Sequence, residues 1–276
     1  MSLKKFTEKL SYVCLKDNVM KGGVRLVDTM PRIIEKESIG LDSAVVQAAR
    51  VSYGAGTKQV SGDKSLISYL LQHQHTTPFE MVDFKFHIKA PIFVTRQWMR
   101  HRAGTFNEIS GRYSEIQAEW YEPEAPRSQS LVNKQGSGKA MISTYWDEYM
   151  EGCENQNKLY NEVLDEGVAK EIARIGLPQS MYTEFYWKVN LHNLLRFLYL
   201  RSHNTAQQEI REYAEVIKDM ITPLCPSTME AYENHVENSI TLSKKEIECI
   251  RDLKEFKGTN REKAEYLTKI EDLGLW

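Results

Sequence analysis

Cysteine is scarce and scattered. Cys14, Cys153, Cys225 and Cys249 are the only four in 276 residues, and no two form a Cys-x-x-Cys pair. That spacing argues against a disulfide scaffold, a dithiol redox motif and a cysteine-rich zinc site. No run approaches the ~20 apolar residues that a bilayer helix needs. The first residues, Met1 to Glu8, lack the apolar centre of a secretion signal. Charge of one sign is not in surplus: 36 Lys and Arg stand against 38 Asp and Glu, a net charge of -2. No global field therefore draws the chain to nucleic acid or membrane. Dinucleotide and nucleoside-triphosphate loops are missing, as is a His-Glu-x-x-His metal motif; Gly54-Ala-Gly56 reads as a plain turn. The expectation is a soluble cytoplasmic protein with no membrane or nucleic-acid partner.

What is present is an ordinary globular composition, 41% hydrophobic and 27% charged, long enough for a sizeable core. Val24 to Met30 reads as a strand, and Ala44 to Val51 as a short helix capped by Asp42 or Ser43. A helix starting near Ser61–Asp63 carries Leu66, Ile67, Leu70 and Leu71 and ends near His73–His75. Val82, Phe84, Phe86 and Ile88 alternate with Asp83, Lys85, His87 and Lys89, the pattern of a half-buried strand. Residues 122–138 read as a surface loop, 139–165 and 168–175 as helical, and 181–189 as strand. Leu191, Leu194, Leu195 and Leu198 mark a helix that delivers Arg201 at its C-terminal end. Ser227 to Glu230, Ser243 to Glu246 and Thr259 to Glu262 are capping-box patterns. They suggest a body over residues 1–233 and a helical extension over 234–276.

One stretch stands out chemically. Between Arg96 and Tyr113 lie four arginines, His101, Glu108, Ser110 and two glycines, flanked by apolar segments. Pro91 opens a helix expected to run from Ile92 to about Arg102, with Gln97, Arg100 and His101 on one face. Extended chain from Glu108 to Tyr113 would then put Glu108, Ser110 and Arg112 on one side. A solvated basic face paired with acids would explain the charges. It does not explain their setting beside Ile92–Val94, Trp98, Ile109 and Tyr113. Arginine forks and a serine hydroxyl suit a phosphate, and a phosphate-bearing ligand is the better reading. Competing readings are an RNA strand stacked on Trp98 or Tyr113, or a metal held by His73, His75, His87 or His101. Histidines bonding at a helix end account for the last group without a metal. Cys225, between Leu224 and Pro226, reads as a buried small residue rather than a nucleophile.

Arg100-His-Arg102 followed after seven residues by Ser110 resembles the signature of the flavin-dependent thymidylate synthases. Further segments resemble that family in order. They are Val27-Asp-Thr-Met30, Ala48 to Gly54, His75-Thr-Thr-Pro-Phe-Glu80, Ala90 to Trp98, Glu108 to Ser114, Ala173 to Pro178, Asn190, Leu200-Arg201 and Ala206-Gln207. Coverage runs from Val24 to Tyr232. The resemblance implies an α/β fold of the α+β type, a mixed sheet flanked by helices with a small C-terminal helical appendage. It implies a homotetramer with active sites shared between subunits. The implied reaction methylates deoxyuridine monophosphate (dUMP) to thymidine monophosphate (dTMP). Methylenetetrahydrofolate donates the carbon, and FAD reduced by NADPH donates the hydride.

Position by position, the resemblance implies dUMP contacts from Gln97, Trp98, Met99, Arg100, Glu108, Ile109, Ser110, Gly111, Arg112, Arg174 and Arg201. FAD contacts are implied for Thr77, Arg100, His101, Arg102, Glu108, Asn190, Leu191 and His192. His75 would lie near flavin and folate. Arg201 would favour ionisation of the pyrimidine at N3, which removes the need for a thiol. Arg196 departs from the usual His or Asn at an FAD position and could reach a flavin phosphate. Gly104-Thr105 replaces the more usual Ala-Ser, and the tail after Asn234 has no counterpart in the pattern.

Overall fold

The computed structural model describes residues 13–14, 21–32, 40–53, 62–116, 119–130 and 135–275. The turn expected over Gly54 to Lys58 lies outside them. Two compact units emerge, Met1–Tyr232 and Glu233–Trp276.

The first unit is built on a five-stranded sheet in the order β1-β2-β3-β7-β4. Its strands are β1 (Val13–Cys14), β2 (Gly23–Met30), β3 (Asp83–Pro91), β4 (Thr105–Glu108) and β7 (Tyr182–Asn190). All four pairings are antiparallel. The alternation in β3 works as its sequence suggests: Phe84, Phe86 and Ile88 are fully buried, while Lys85 is exposed. Phe86 lies opposite Trp187 and Ile88 opposite Phe185, so one face of the sheet is a continuous apolar surface.

The helices of this unit are α1 (Leu41–Arg50), α2 (Asp63–Gln72), α3 (Thr77–Glu80), α4 (Ile92–Trp98), α5 (Trp146–Asp165), α6 (Lys170–Ala173), α7 (Leu191–Arg201), α8 (Gln208–Ile221) and α9 (Pro226–Tyr232); α4, α7 and α8 pack against the strands of the sheet. This is the expected α+β arrangement of a sheet flanked by helices. Trp98 is the keystone of the core. Its ring centroid lies 4.9 Å from Phe197, 5.4 Å from Trp187 and 5.6 Å from both Phe185 and Tyr213. Each such side chain contributes about 1.5–3 kcal/mol by burial.

Several sequence expectations are corrected. The 139–165 helix begins only at Trp146, because Ser137–Ala140 forms β6 and pairs with β5 (Arg127–Gln129) inside the supposed loop. The 168–175 helix is one α-turn at Lys170–Ala173 followed by a 3-10 turn. Helix α9 is not started by a Ser227 capping box. Asp42, from α1, accepts hydrogen bonds from the Ser227 and Thr228 amides at 2.7 and 3.0 Å. A carboxylate from another element has taken over the cap.

The second unit carries a π-helical turn (Glu233–Glu237), α10 (Lys244–Asp252) and α11 (Asn260–Asp272). Both helices open with the reciprocal capping boxes that their sequences announce, Ser243 with Glu246 and Thr259 with Glu262.

Candidate functional site

The basic stretch begins where β3 hands over to α4. Pro91 sits at the N-cap, and the first helical amides of Ile92 and Phe93 donate to the carbonyls of Met181 and Gln179. The helix ends at Trp98, four residues short of the expected Arg102. The His101 amide bonds the Trp98 carbonyl at 3.0 Å rather than that of Gln97. That tightening leaves the Gln97 carbonyl without a helical partner. Arg201, the last residue of α7, fills the role: its Nη2 donates to Gln97 O at 3.2 Å and its Nε donates to His101 Nε2 at 2.9 Å. Gln97, Arg100 and His101 therefore occupy a helix end and turn, not one helical face.

This geometry fixes protonation. Nε2 of His101 accepts from a cation, so the ring is neutral with its proton on Nδ1. Burial, then the charges of Arg201 and Arg196, lower its pKa from 6.5 to about 4. Burial, then Arg100, also lowers the pKa of Arg201. Arg100, Arg196 and Arg201 thus crowd one another electrostatically. Among the described residues, Arg100, Arg102, Arg174, Arg196 and Arg201 have no carboxylate ion pair. Clustered cations without an acid suit an anionic ligand. The Gln97 side chain donates to the Gln207 amide oxygen, a contact that sequence spacing alone did not reveal.

The second half of the stretch departs from expectation. Extended structure stops at Glu108, whose carboxylate accepts from the Thr183 hydroxyl at 2.7 Å. The Ile109 amide still bonds Glu184 O at 2.9 Å. The chain then turns: Tyr113 and Ser114 amides donate to Ser110 O, and the Arg112 amide meets Ser110 Oγ at 3.3 Å. Serine side chains compete with strand ladders in this way. Glu108, Ser110 and Arg112 do not line one side of a strand. A Cβ on Gly111 would come within 2.8 Å of Ile116 and 3.3 Å of the Arg174 side chain, so a bare backbone lets Arg174 close on the turn. Arg112 Nε lies 3.3 Å from the carboxylate of Glu171 on α6, and both side chains are exposed.

A third group lies apart. His75 and Thr77 line an open groove of about 730 Å³ between the ends of α1, α2 and α3, with Ala49, Leu70 and Met81 among its walls. None of the arginines above lines it. Helix α7 connects the pieces. Asn190 caps it by accepting from the Asn193 amide at 2.9 Å, His192 is half-buried, Arg196 is exposed, and Arg201 closes the other end.

Some expected contacts are limited to main chain. Trp98 and Leu191 are fully buried, so their side chains belong to the core. That removes Trp98 as a stacking platform for RNA. Met99 is half-buried and Ile109 exposed. Cys225 is fully buried and its thiol pKa is raised by burial, then by Asp42, the opposite of what a nucleophile needs. Among the described residues no cluster of His, Cys, Asp or Glu is placed to hold a metal ion, and no helix is long and apolar enough to cross a membrane.

Comparison with known proteins defines the class. A family profile described as thymidylate synthase complementing protein matches residues 33–227. The chain is similar to flavin-dependent thymidylate synthases from Dictyostelium discoideum and Thermus thermophilus. The first is 47% identical over 88% of this chain and 82% of its own length. The second is 50% identical over 84% and 83%. A crystal structure of the UMP/dUMP methylase PolB from Streptomyces cacaoi bound with 5-Br UMP has a TM-score of 0.66 and 33% identity, covering 79% of this chain and 96% of that one. The chain belongs to the flavin-dependent thymidylate synthase family.

Proposed function

We propose that this protein is a flavin-dependent thymidylate synthase, methylating dUMP to dTMP without a cysteine nucleophile. The observation that carries the reading is the set of arginines without acid partners around a helix end and a serine turn. A flavin fits this donor set: FAD carries a diphosphate, Arg100, Arg102 and Arg196 offer exposed guanidinium groups, and the Asn190–His192 segment opens the helix that carries Arg196, while the Thr77 hydroxyl would reach the same cofactor from the separate groove. Bound FAD, reduced by NADPH, supplies the hydride, and methylenetetrahydrofolate supplies the carbon.

The chain's own residues position and polarise. Ser110 and Arg112, with Arg174 behind Gly111, would receive the dUMP phosphate, and Gln97, Arg100 and Glu108 would fix the rest of the nucleotide. Arg201 spends Nε on His101 and one Nη2 hydrogen on Gln97 O. Nη1 and the remaining Nη2 hydrogen stay available for the pyrimidine edge. A half-buried cation there stabilises negative charge at N3 and so raises electron density at C5, the carbon that gains the methyl group. His101, neutral, holds that guanidinium in place without adding charge of its own. His75 and Thr77 in the groove would meet flavin and folate.

The scatter of these groups over one chain fits a homotetramer in which neighbouring subunits complete each site. Residues 1–233 would form the synthase domain and 234–276 a helical extension, in a cytoplasmic enzyme. Purified protein should be yellow. Under anaerobic conditions with dUMP, methylenetetrahydrofolate and NADPH it should form dTMP. A folded, FAD-loaded protein that forms none contradicts the proposal.

A further inference from the structure

The end of α2 is built in an unusual way. The His75 amide donates to Leu70 O at 2.8 Å and the Gln74 amide to Leu71 O at 3.1 Å. These two bonds make a Schellman cap, whose left-handed position is normally glycine. Here that position is Gln74, at φ 57°, one of only two non-glycine residues with positive φ among the described residues. Left-handed backbone is unfavourable for a residue with a Cβ, and such strain collects where a side chain has a task. Gln74 is exposed and lines the same groove as His75. Around it three rings gather: Tyr69 lies 4.3 Å from His73 and 5.9 Å, edge-on, from His75 by ring centroids. The cap therefore turns the chain so that His75 rests against an aromatic prop while the amide of Gln74 reaches the groove wall.

We propose that Gln74 is a specificity-determining residue of this groove. Its amide pairs with the amide-like edge of a flat, fused heteroaromatic ring laid beside His75. Gln offers one acceptor and two donors in a plane, complementary to a ring N–H next to a ring carbonyl. Glycine would make the same turn with less strain but could not pair. The inference rests on the flavin and folate reading above, because both the isoalloxazine and the pterin carry such an edge.

The test is Gln74→Gly, with Gln74→Asn as a second variant that tolerates the left-handed backbone and keeps a shorter amide. FAD is titrated into flavin-free protein, and tetrahydrofolate and dUMP into FAD-loaded protein, alongside thermal unfolding. Relief of strain should raise the Tm of the glycine variant by about 2–4 °C. Loss of one neutral hydrogen bond should weaken one ring ligand about three- to tenfold, with dUMP affinity unchanged. Whichever of FAD or tetrahydrofolate weakens identifies the ring. Gln74→Asn should fall between glycine and wild type. Wild-type affinity for both ring ligands in Gln74→Gly overturns the inference. If wild-type protein takes up neither ligand, the synthase reading fails first and this inference falls with it.

Discussion

Arg201 is half-buried, and its guanidinium already donates to His101 and to the Gln97 carbonyl. Arg112 has a side chain 57% exposed and, among the described residues, pairs with the similarly exposed Glu171 at 3.3 Å. The two arginines serve one nucleotide in the proposed reaction, yet the fold treats them differently. For Arg201 the cost of ordering and partly desolvating a cation is met by folding, before any ligand arrives. A cation held in that way can act on charge that develops during the reaction. In the proposed reaction Arg112 would leave Glu171 and become ordered when the phosphate arrives, so its contribution would belong to binding. On the proposed reading, a preset centre would control turnover and an open turn would control affinity.

The largest effect is expected from Arg201→Ala. Turnover should fall about 10²–10³-fold with flavin still bound, the range for loss of a preorganised donor. Wild-type turnover would remove Arg201 from the mechanism. Arg112→Ala should raise the KM for dUMP about 10- to 100-fold with little change in kcat, as expected for loss of a charge-assisted hydrogen bond. Steady-state kinetics with dUMP varied would check both.

The preset centre also carries a pH signature. Folding lowers the pKa of His101 from 6.5 to about 4, so the unfolded chain binds more protons between those values. This contribution to stability is full above pH 6.5 and is lost as pH falls towards 4. Urea midpoints over that range should decline, and His101→Gln should flatten the decline. An unchanged slope in the variant would exclude His101 as its source. The smallest expected effect is at the open turn. Glu171→Gln removes the carboxylate that competes for Arg112 and should lower the KM for dUMP about two- to threefold, the scale of an exposed ion pair. An increase in KM would mean that Glu171 orients Arg112 rather than masking it.

Legibility in the sequence followed the range of the forces involved. The strand at β3 was plain because alternating burial is a local pattern, and the two capping boxes of the second unit because each lies within four residues. The family was also legible, through the ordered segments that resemble it. Their geometry was not. Nothing local to Trp98 says that α4 ends there; its end is stabilised by Arg201, more than a hundred residues later. The Ser110 turn was misread as strand because a hydroxyl competing for a ladder amide leaves no mark on periodicity. Asp42, read as a cap for its own helix, serves α9 instead. The β5–β6 hairpin lacks apolar alternation: Ser137–Ala140 is exposed throughout, so the pattern that marks half-buried strands is missing. Gln207 and Gln74 owe their interest to partners or backbone angles that no spacing rule encodes.

The division between a preset centre and an open turn is tested most directly by equilibrium binding of dUMP to FAD-loaded Arg201→Ala and Arg112→Ala, measured side by side by calorimetry. Affinity within about threefold of wild type for Arg201→Ala, with at least about tenfold weakening for Arg112→Ala, is the predicted result. The reverse order, with Arg201 carrying the affinity and Arg112 dispensable, would contradict it.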